Sequence, residues 1–241
     1  MKIVIVHYNT PRLTTALLGS LSKNKISENI IVFENSDKLP LNASDMFDYD
    51  VLDNTSGQII NFGSEIEKLN IENSMSPERI NSEMNGVRYG SVKHSLTVQW
   101  LIENLGEDFF LLDSDILIKK DFRNLRDDTK ICVGDCTEHR ILPFLLYLNP
   151  KKLVERGVKF FDRRNIHPFR LGYANDTGGS FYRECRQFPK ELRLTNLDEY
   201  YVHYGSGSWR AFFTRDKSWY QSNRDIDDRT FLNINKNLFM E

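Results

Sequence analysis

Along the first half of the chain, apolar runs of strand length alternate with segments of helical period. Lys2 to Tyr8 carries four consecutive apolar β-branched residues, Ile3-Val4-Ile5-Val6, the pattern of a strand buried on both faces. Asn9-Thr10-Pro11 interrupts it, with Thr10 placed as a helix N-cap and Pro11 as the first helical residue. Leu13, Ala16, Leu17 and Leu21 then follow at helical spacing. Asn29 to Phe33 predicts a second strand, closed by Glu34-Asn35-Ser36-Asp37. A strand–helix–strand unit of this kind places its second strand beside the first and parallel to it. Parallel sheets take their ligands beyond the carboxyl ends of the strands, and those ends here are His7, Tyr8, Asn9 and Glu34.

The pattern weakens over residues 53–91, which are rich in Asn, Ser, Gly and Glu and read as loops and short helices. It returns in Val92 to Leu105, where Val92, Leu96 and Trp100 recur every fourth residue and Gly106 stands as the C-cap candidate. Phe109 to Leu112 predicts a buried strand ending in Asp113-Ser114-Asp115. Further strands are expected at Ile131–Val133, Phe144–Leu148 and Tyr200–His203, and a short helix at Lys151–Arg156. Residues 214–241 are charged and aromatic without firm periodicity, which leaves open a strap around the domain, a partner-binding segment or a mobile tail.

Composition narrows the class. The 241 residues suit one medium α/β domain with elaborations, or two small lobes. A hydrophobic fraction of 40% and a charged fraction of 27% exclude a wholly disordered chain. With 32 basic and 34 acidic residues the net charge is −2, so no global basic field draws nucleic acid. No apolar run approaches the ~20 residues of a membrane span, and the apolar N-terminus turns polar too soon for a signal peptide. Three cysteines are an odd number and read as reduced thiols of a cytosolic protein; Cys132 and Cys136 lack a second Cys or His pair that would complete a zinc site.

The sharpest chemical signal is the acidic strand end. Two carboxylates two residues apart repel in a low-dielectric crevice unless a proton or cation intervenes. Mg²⁺ or Mn²⁺ would relieve that repulsion and bridge to substrate phosphate. The plainer reading makes both aspartates turn caps, and the four-residue apolar strand ahead of them favours the ion.

Taken in order, these pieces resemble a GT-A-type nucleotide-sugar glycosyltransferase of the family-2-like, DxD-containing kind found in bacterial polysaccharide biosynthesis. Ile3 to Pro11 resembles the opening strand and nucleotide loop; Ile30 to Ser36 resembles the second strand with its acidic end; Lys93 to Asp115 resembles the helix-then-DxD unit. The likeness covers about half the chain. Arg140 to Asn149, Asp176-Thr177-Gly178-Gly179 and His203 to Trp209 look, less specifically, like acceptor-side elements. The resemblance implies a GT-A-like three-layer α/β/α sandwich with a mostly parallel central sheet and a Rossmann-like N-terminal half. The whole chain, 1–241, would be one domain: a donor half (1–118), an acceptor half (119–213) and a C-terminal extension (214–241).

The resemblance also assigns roles. Asp113 and Asp115 match the motif that holds the cation on the donor pyrophosphate, and the late His203 matches a further metal ligand; the cofactor would be Mn²⁺ or Mg²⁺. His7, Tyr8, Thr10, Glu34 and Ser114 fall on the nucleotide side, with Tyr8 packing the base and Glu34 accepting from base or ribose. The family more often has Asp where Glu34 stands. Arg88 and Lys93 are offered as cations near the base or phosphates, against the plainer reading of solvated surface charges. Asp176 is the first candidate for the base at the acceptor hydroxyl, followed by Glu138 and Asp135, with Gly178 and Gly179 opening the backbone to a sugar. The Glu-Asp pair that often marks the base of inverting family-2 enzymes does not follow Gly178-Gly179.

The implied reaction moves a sugar from a nucleotide diphosphate, taken as UDP, to a hydroxyl of a glycan or lipid-linked acceptor, at the cytoplasmic face of the cell membrane. Arg215, Lys217, Trp219, Tyr220, Arg224 and Phe231 are the residues offered for membrane contact. Two alternatives stand beside it. A sugar-nucleotide nucleotidyltransferase would need a Gly-rich basic loop where Asn9-Thr10-Pro11-Arg12 has no glycine. A non-catalytic nucleotide- or carbohydrate-binding module would keep the acidic pair without turnover.

Overall fold

The computed structural model describes residues 1–27, 29–42, 48–72, 88–138, 140–161, 177–204 and 228–240. It is a mixed α/β protein whose main sheet has seven strands in the order β3-β2-β1-β4-β7-β6-β8. The strands are β1 (Lys2–His7), β2 (Ile30–Glu34), β3 (Asp50–Asp53), β4 (Phe109–Asp113), β6 (Cys132–Cys136), β7 (Ile141–Leu148) and β8 (Leu192–Leu194). A separate antiparallel ribbon joins β5 (Ile116–Ile118) to β9 (Tyr201–His203). The β1–β2, β2–β3 and β6–β8 pairings are parallel, while β6–β7 is antiparallel. The expected mostly parallel α/β architecture is therefore present.

The chain divides into two compact units. The first holds the described residues of Lys2–Ser56, Leu112–Asn124 and Leu197–Glu241; the second holds Met1 and those of Gly57–Leu111 and Leu125–Asn196. In the first unit, Val4 and Ile5 of β1 and Val32 and Phe33 of β2 are fully buried, as consecutive apolar residues require when both sheet faces are covered. The register pairs Ile3 with Ile30 and His7 with Glu34, so the polar ends of β1 and β2 lie level. Helix α1 (Pro11–Lys23) presses Leu13, Leu17 and Leu21 inward with at most 1% exposure. The predicted first helix and its Pro11 start are confirmed. Thr10 stands at the N-cap position, but its hydroxyl makes no cap hydrogen bond and is used elsewhere.

The same unit contains two strands that the pattern does not reveal. β3 extends β2 at the edge of the sheet with only Val51 and Leu52 between two aspartates. β5 is fully buried, and its backbone is held by α1: Ile118 N donates to Ser20 Oγ (2.9 Å), and Asn24 Nδ2 donates to Ile118 O (3.3 Å). Residues 228–234 form a further helix.

The second unit carries α2 (Phe62–Glu72), α3 (Arg88–Asn104), α4 (Pro150–Glu155) and α5 (Gly179–Cys185). Gly106 adopts φ +68°, the left-handed conformation expected of a residue closing α3. Asn149 caps α4 by accepting from Lys152 N (3.0 Å). Gly178 has φ +86°, and a β-carbon there would collide with the Ile141 carbonyl of β7. At Gly178 the space a side chain would take is filled by the neighbouring strand, which accounts for a glycine there without a sugar. Cys132 and Cys185 are buried free thiols and Cys136 is a half-buried one. No helix among the described residues is long and apolar enough to cross a membrane.

Candidate functional site

The site lies in the first unit, where the chain leaves β1, β2 and β4. Thr10, just beyond β1, has its hydroxyl 2.8 Å from that of Ser114, just beyond β4. The two strands therefore end at the same edge. The sheet order reverses at β1, which has β2 on one side and β4 on the other; such a point is where parallel sheets open a crevice for ligand.

The loop after β2 folds back over the end of β1. Asn9 has φ +56° and acts as its staple: its amide donates to Ser36 Oγ (2.9 Å), its side-chain oxygen accepts from Lys38 N (3.0 Å) and Leu39 N (2.9 Å), and its side-chain nitrogen donates to Asp37 Oδ1 (2.6 Å). Asparagine tolerates the left-handed backbone that this position requires. Glu34 performs the matching task from β2, accepting from Ser36 N (2.8 Å) and Leu41 N (2.9 Å) with 2% exposure. Its carboxylate shapes the loop from beneath, and the exposed acid of that loop is Asp37. Asp37 was not singled out from sequence; the only signal was its place in the polar run closing β2.

His7 is fully buried. Its Nε2 lies 3.3 Å from the carbonyl of Leu39, an acceptor, so the Nε2–H tautomer satisfies both ring nitrogens: Nδ1 then accepts from the Thr14 hydroxyl at 2.7 Å. Glu34 Oε2 lies 3.6 Å from the same Nε2. His7 is thus part of the site's foundation. Tyr8 is 8% exposed and donates its hydroxyl to Asp37 Oδ2 (3.3 Å), so its ring lines the floor of the loop with little face open for stacking.

The acidic strand end meets its histidine through the β5–β9 ribbon. Asp115 immediately precedes β5, and the register pairs Ile116 with His203. Tyr204 N donates to the Asp115 carbonyl (2.9 Å), extending the ladder by one rung. Asp115 Oδ1 consequently faces His203 Nε2 at 3.3 Å, with Asp115 nearly buried and His203 about one-fifth exposed. Asp113, half-buried, turns Oδ1 back to Ser114 N (2.9 Å). Among the described residues, no three His, Cys, Asp or Glu side chains gather as a metal-ion cluster. The pair itself suits a hard cation: its 3.3 Å separation is near the ~3 Å edge of an octahedron with ligands at ~2.1 Å, and Mg²⁺ in phosphate sites takes only one or two protein ligands. Carboxylate with imidazole also suits Mn²⁺.

Of the remaining sequence candidates, Arg88, Lys93, Asp135 and Glu138 fall in the second unit. Lys93 is 5% exposed on α3, with its ammonium 4.9 Å from the Phe62 ring centroid, so it is no solvated surface charge. Arg88 is the first residue of α3. Glu138 is exposed in the connection between β6 and β7, and Asp135 turns Oδ1 to Cys136 N (2.7 Å). Asp176 lies outside the described residues, as do Arg215, Lys217, Trp219, Tyr220 and Arg224. Phe231 is half-buried and packs edge-on against Tyr204, with ring centroids 5.0 Å apart.

No family model matches the chain, and no curated protein does. Solved structures of glycosyltransferases are similar to it. The glycosyltransferase GlyE of Streptococcus pneumoniae TIGR4 aligns with a TM-score of 0.45 and 13% identity, covering 98% of this chain and 64% of its own. This chain therefore spans just under two thirds of that protein's length. The galactosyltransferase LgtC, solved in complex with donor and acceptor sugar analogs, aligns with a TM-score of 0.38 and 10% identity over 81% of this chain and 73% of its own. A glycosyltransferase involved in glycosylation of the major capsid of PBCV-1 aligns with a TM-score of 0.35 and 11% identity, covering 94% of this chain and 100% of its own.

Proposed function

We propose that the protein is a metal-dependent glycosyltransferase of GT-A type, moving a sugar from a nucleotide diphosphate, UDP in the first instance, to a hydroxyl of a glycan or lipid-linked acceptor. The observation that carries this reading is the Asp115–His203 pair, set beside the Thr10–Ser114 contact at the shared end of β1 and β4. A carboxylate and an imidazole held together at the shared strand end answer the principal need of this reaction, which is to manage the charge that builds on a leaving diphosphate.

In this reading Asp115 and His203 would hold Mn²⁺ or Mg²⁺, and Asp113, the first acid of the motif, is the further candidate ligand. When bound, the cation supplies Lewis-acid stabilisation of the departing phosphate oxygens. The chain's own residues do the rest. Asn9 and Glu34 fix the loop that carries Asp37, and Tyr8 forms its floor. The mutual hydrogen bond of Thr10 and Ser114 holds the β1 and β4 loops in register for the nucleotide. Asp176 and Glu138 are the candidates for taking the acceptor proton, and Arg88 and Lys93 for charge near the phosphates. The protein would work at the cytoplasmic face of a membrane where a lipid-linked acceptor is presented.

The test is calorimetry of UDP with and without Mn²⁺, followed by a screen of UDP-, GDP- and dTDP-sugars for donor hydrolysis. UDP affinity that rises with Mn²⁺, together with slow hydrolysis of one donor, supports transfer. Absence of binding by every nucleotide, with or without cation, would sink it. Mn²⁺-dependent binding without hydrolysis or transfer would assign the non-catalytic module instead.

A further inference from the structure

The C-terminal residues 228–240, part of a segment for which the sequence pattern leaves several roles open, are tied to the Asp115–His203 pair. Tyr204 directly follows His203, and its amide donates to the Asp115 carbonyl at 2.9 Å. The Tyr204 ring then meets Phe231 of the 228–234 helix in an edge-on contact, centroids 5.0 Å apart at 60°. Beyond that helix the chain is fastened to α1. Lys23 Nζ donates to the carbonyls of Asn237 (2.7 Å) and Met240 (2.6 Å), and a β-carbon on Gly19 would stand only 3.1 Å from the Phe239 carbonyl oxygen.

Helix α1 holds the other end of the same assembly. Ser20 accepts from Ile118 N at 2.9 Å and Asn24 donates to Ile118 O at 3.3 Å, both on β5. The path therefore closes on itself: from α1 to β5, across the ladder to Asp115 and Tyr204, through Phe231, and back to α1 at Lys23 and Gly19. A two-stranded ribbon alone is marginally stable. This one has its far end stitched by Lys119 N to Tyr200 O (2.7 Å), and its near end, where Asp115 and His203 face each other, abuts Phe231 through Tyr204.

We infer that Phe231 is a positioning residue for the Asp115–His203 pair, and that residues 228–240 brace the ribbon presenting it. The ion-holding part of this inference rests on the proposed function; the brace can be measured without nucleotide. Hydrogen exchange on the full chain compares wild type with Phe231→Ala, Phe231→Leu and Lys23→Ala. In Phe231→Ala, and in the same direction in Lys23→Ala, the amides of Tyr204 and Ile116–Ile118 should exchange about tenfold faster, while those of β1 keep wild-type protection and show that the unit is folded. Phe231→Leu, which keeps most of the apolar volume, should recover most of the loss. Unchanged exchange at Tyr204 in a folded Phe231→Ala protein overturns the brace.

A titration of Mn²⁺ alone, read by electron paramagnetic resonance, supplies the second arm. Phe231→Ala should weaken Mn²⁺ binding about tenfold while leaving metal-free UDP affinity within about twofold, as expected when a support behind a ligand is removed. Equal loss of both would show general loosening and overturn the positioning role. If wild type binds no Mn²⁺, the ion site falls, and the exchange arm still decides the brace.

Discussion

The hydroxyls of Thr10 and Ser114 lie 2.8 Å apart and join the loops leaving β1 and β4. Both residues are nearly buried, at 1% and 2% exposure, so neither hydroxyl has ready access to water. Thr10→Val keeps the shape and removes one partner. The Ser114 hydroxyl is then left buried without that bond, a cost of about 1–3 kcal/mol. Chemical denaturation should show this loss, and UDP affinity should fall in parallel. Thr10→Ser, which restores the hydroxyl, should recover both.

Asp115→Asn retains the volume and the backbone rung to Tyr204 while removing the charge. Transfer should fall about 100-fold or more, and Mn²⁺ should no longer strengthen UDP binding. Circular dichroism should match wild type. Wild-type turnover by this variant in chelator-treated buffer would defeat the metal mechanism.

Gly178→Ala tests the packing reading of the glycine pair. The left-handed backbone costs a β-carbon roughly 1–2 kcal/mol, and displacing the Ile141 carbonyl adds about 1–3 kcal/mol. The prediction is a clearly lowered melting temperature. A variant as stable as wild type but with impaired acceptor use would return Gly178 to the role of a sugar contact.

Tyr147 supplies a pH prediction. Burial, reinforced by the neighbouring Asp108 and Asp128, pushes its phenol well above the usual tyrosine range. The hydroxyl donates to Asp108 Oδ2 at 2.7 Å, with Asp128 Oδ1 at 3.1 Å. The unfolded chain loses this proton near pH ~10 while the folded one keeps it. The associated stability is therefore complete below that pH and is lost as pH rises above it. Urea denaturation from pH 8 to 11 should show a falling alkaline limb that is flatter in Tyr147→Phe.

Where apolar density alone decides, the sequence was legible. Ile3–Val6, Ile30–Phe33 and Phe109–Leu112 are buried strands, and Leu13, Leu17 and Leu21 form the inner face of α1, all as the pattern predicts. The strands that escaped notice are β3, β5 and β8, which span only four, three and three residues. Such strands owe their existence to partners distant in sequence, and local periodicity carries no trace of that. The site divides in the same way. Asp113, Asp115 and His203 were named from motif, but the ladder that brings Asp115 to His203 is a non-local pairing. The strand ends and the family resemblance point Glu34 and His7 toward the nucleotide; the fold-back of residues 35–41 shows their polar atoms also bonded within the protein, Glu34 to the Ser36 and Leu41 amides and His7 to Thr14 and the Leu39 carbonyl. Gly178 shows the reverse case, a residue of a motif that looks chemical and whose missing side chain is accounted for by the proximity of β7.

The ribbon also bears on how the protein is made. Among the described residues the strand partner of β5 is β9, so during synthesis β5 has no ladder to join until Tyr201–His203 leave the ribosome. The β1–β2–β3 parallel trio can assemble long before that. A chain emerging N-terminus first would therefore have its first strands paired while its acidic turn still waited for the histidine. That interval exposes the wholly apolar Ile116-Leu117-Ile118 edge, and it is the stage at which a chaperone, or a neighbouring unfinished chain, would find something to hold.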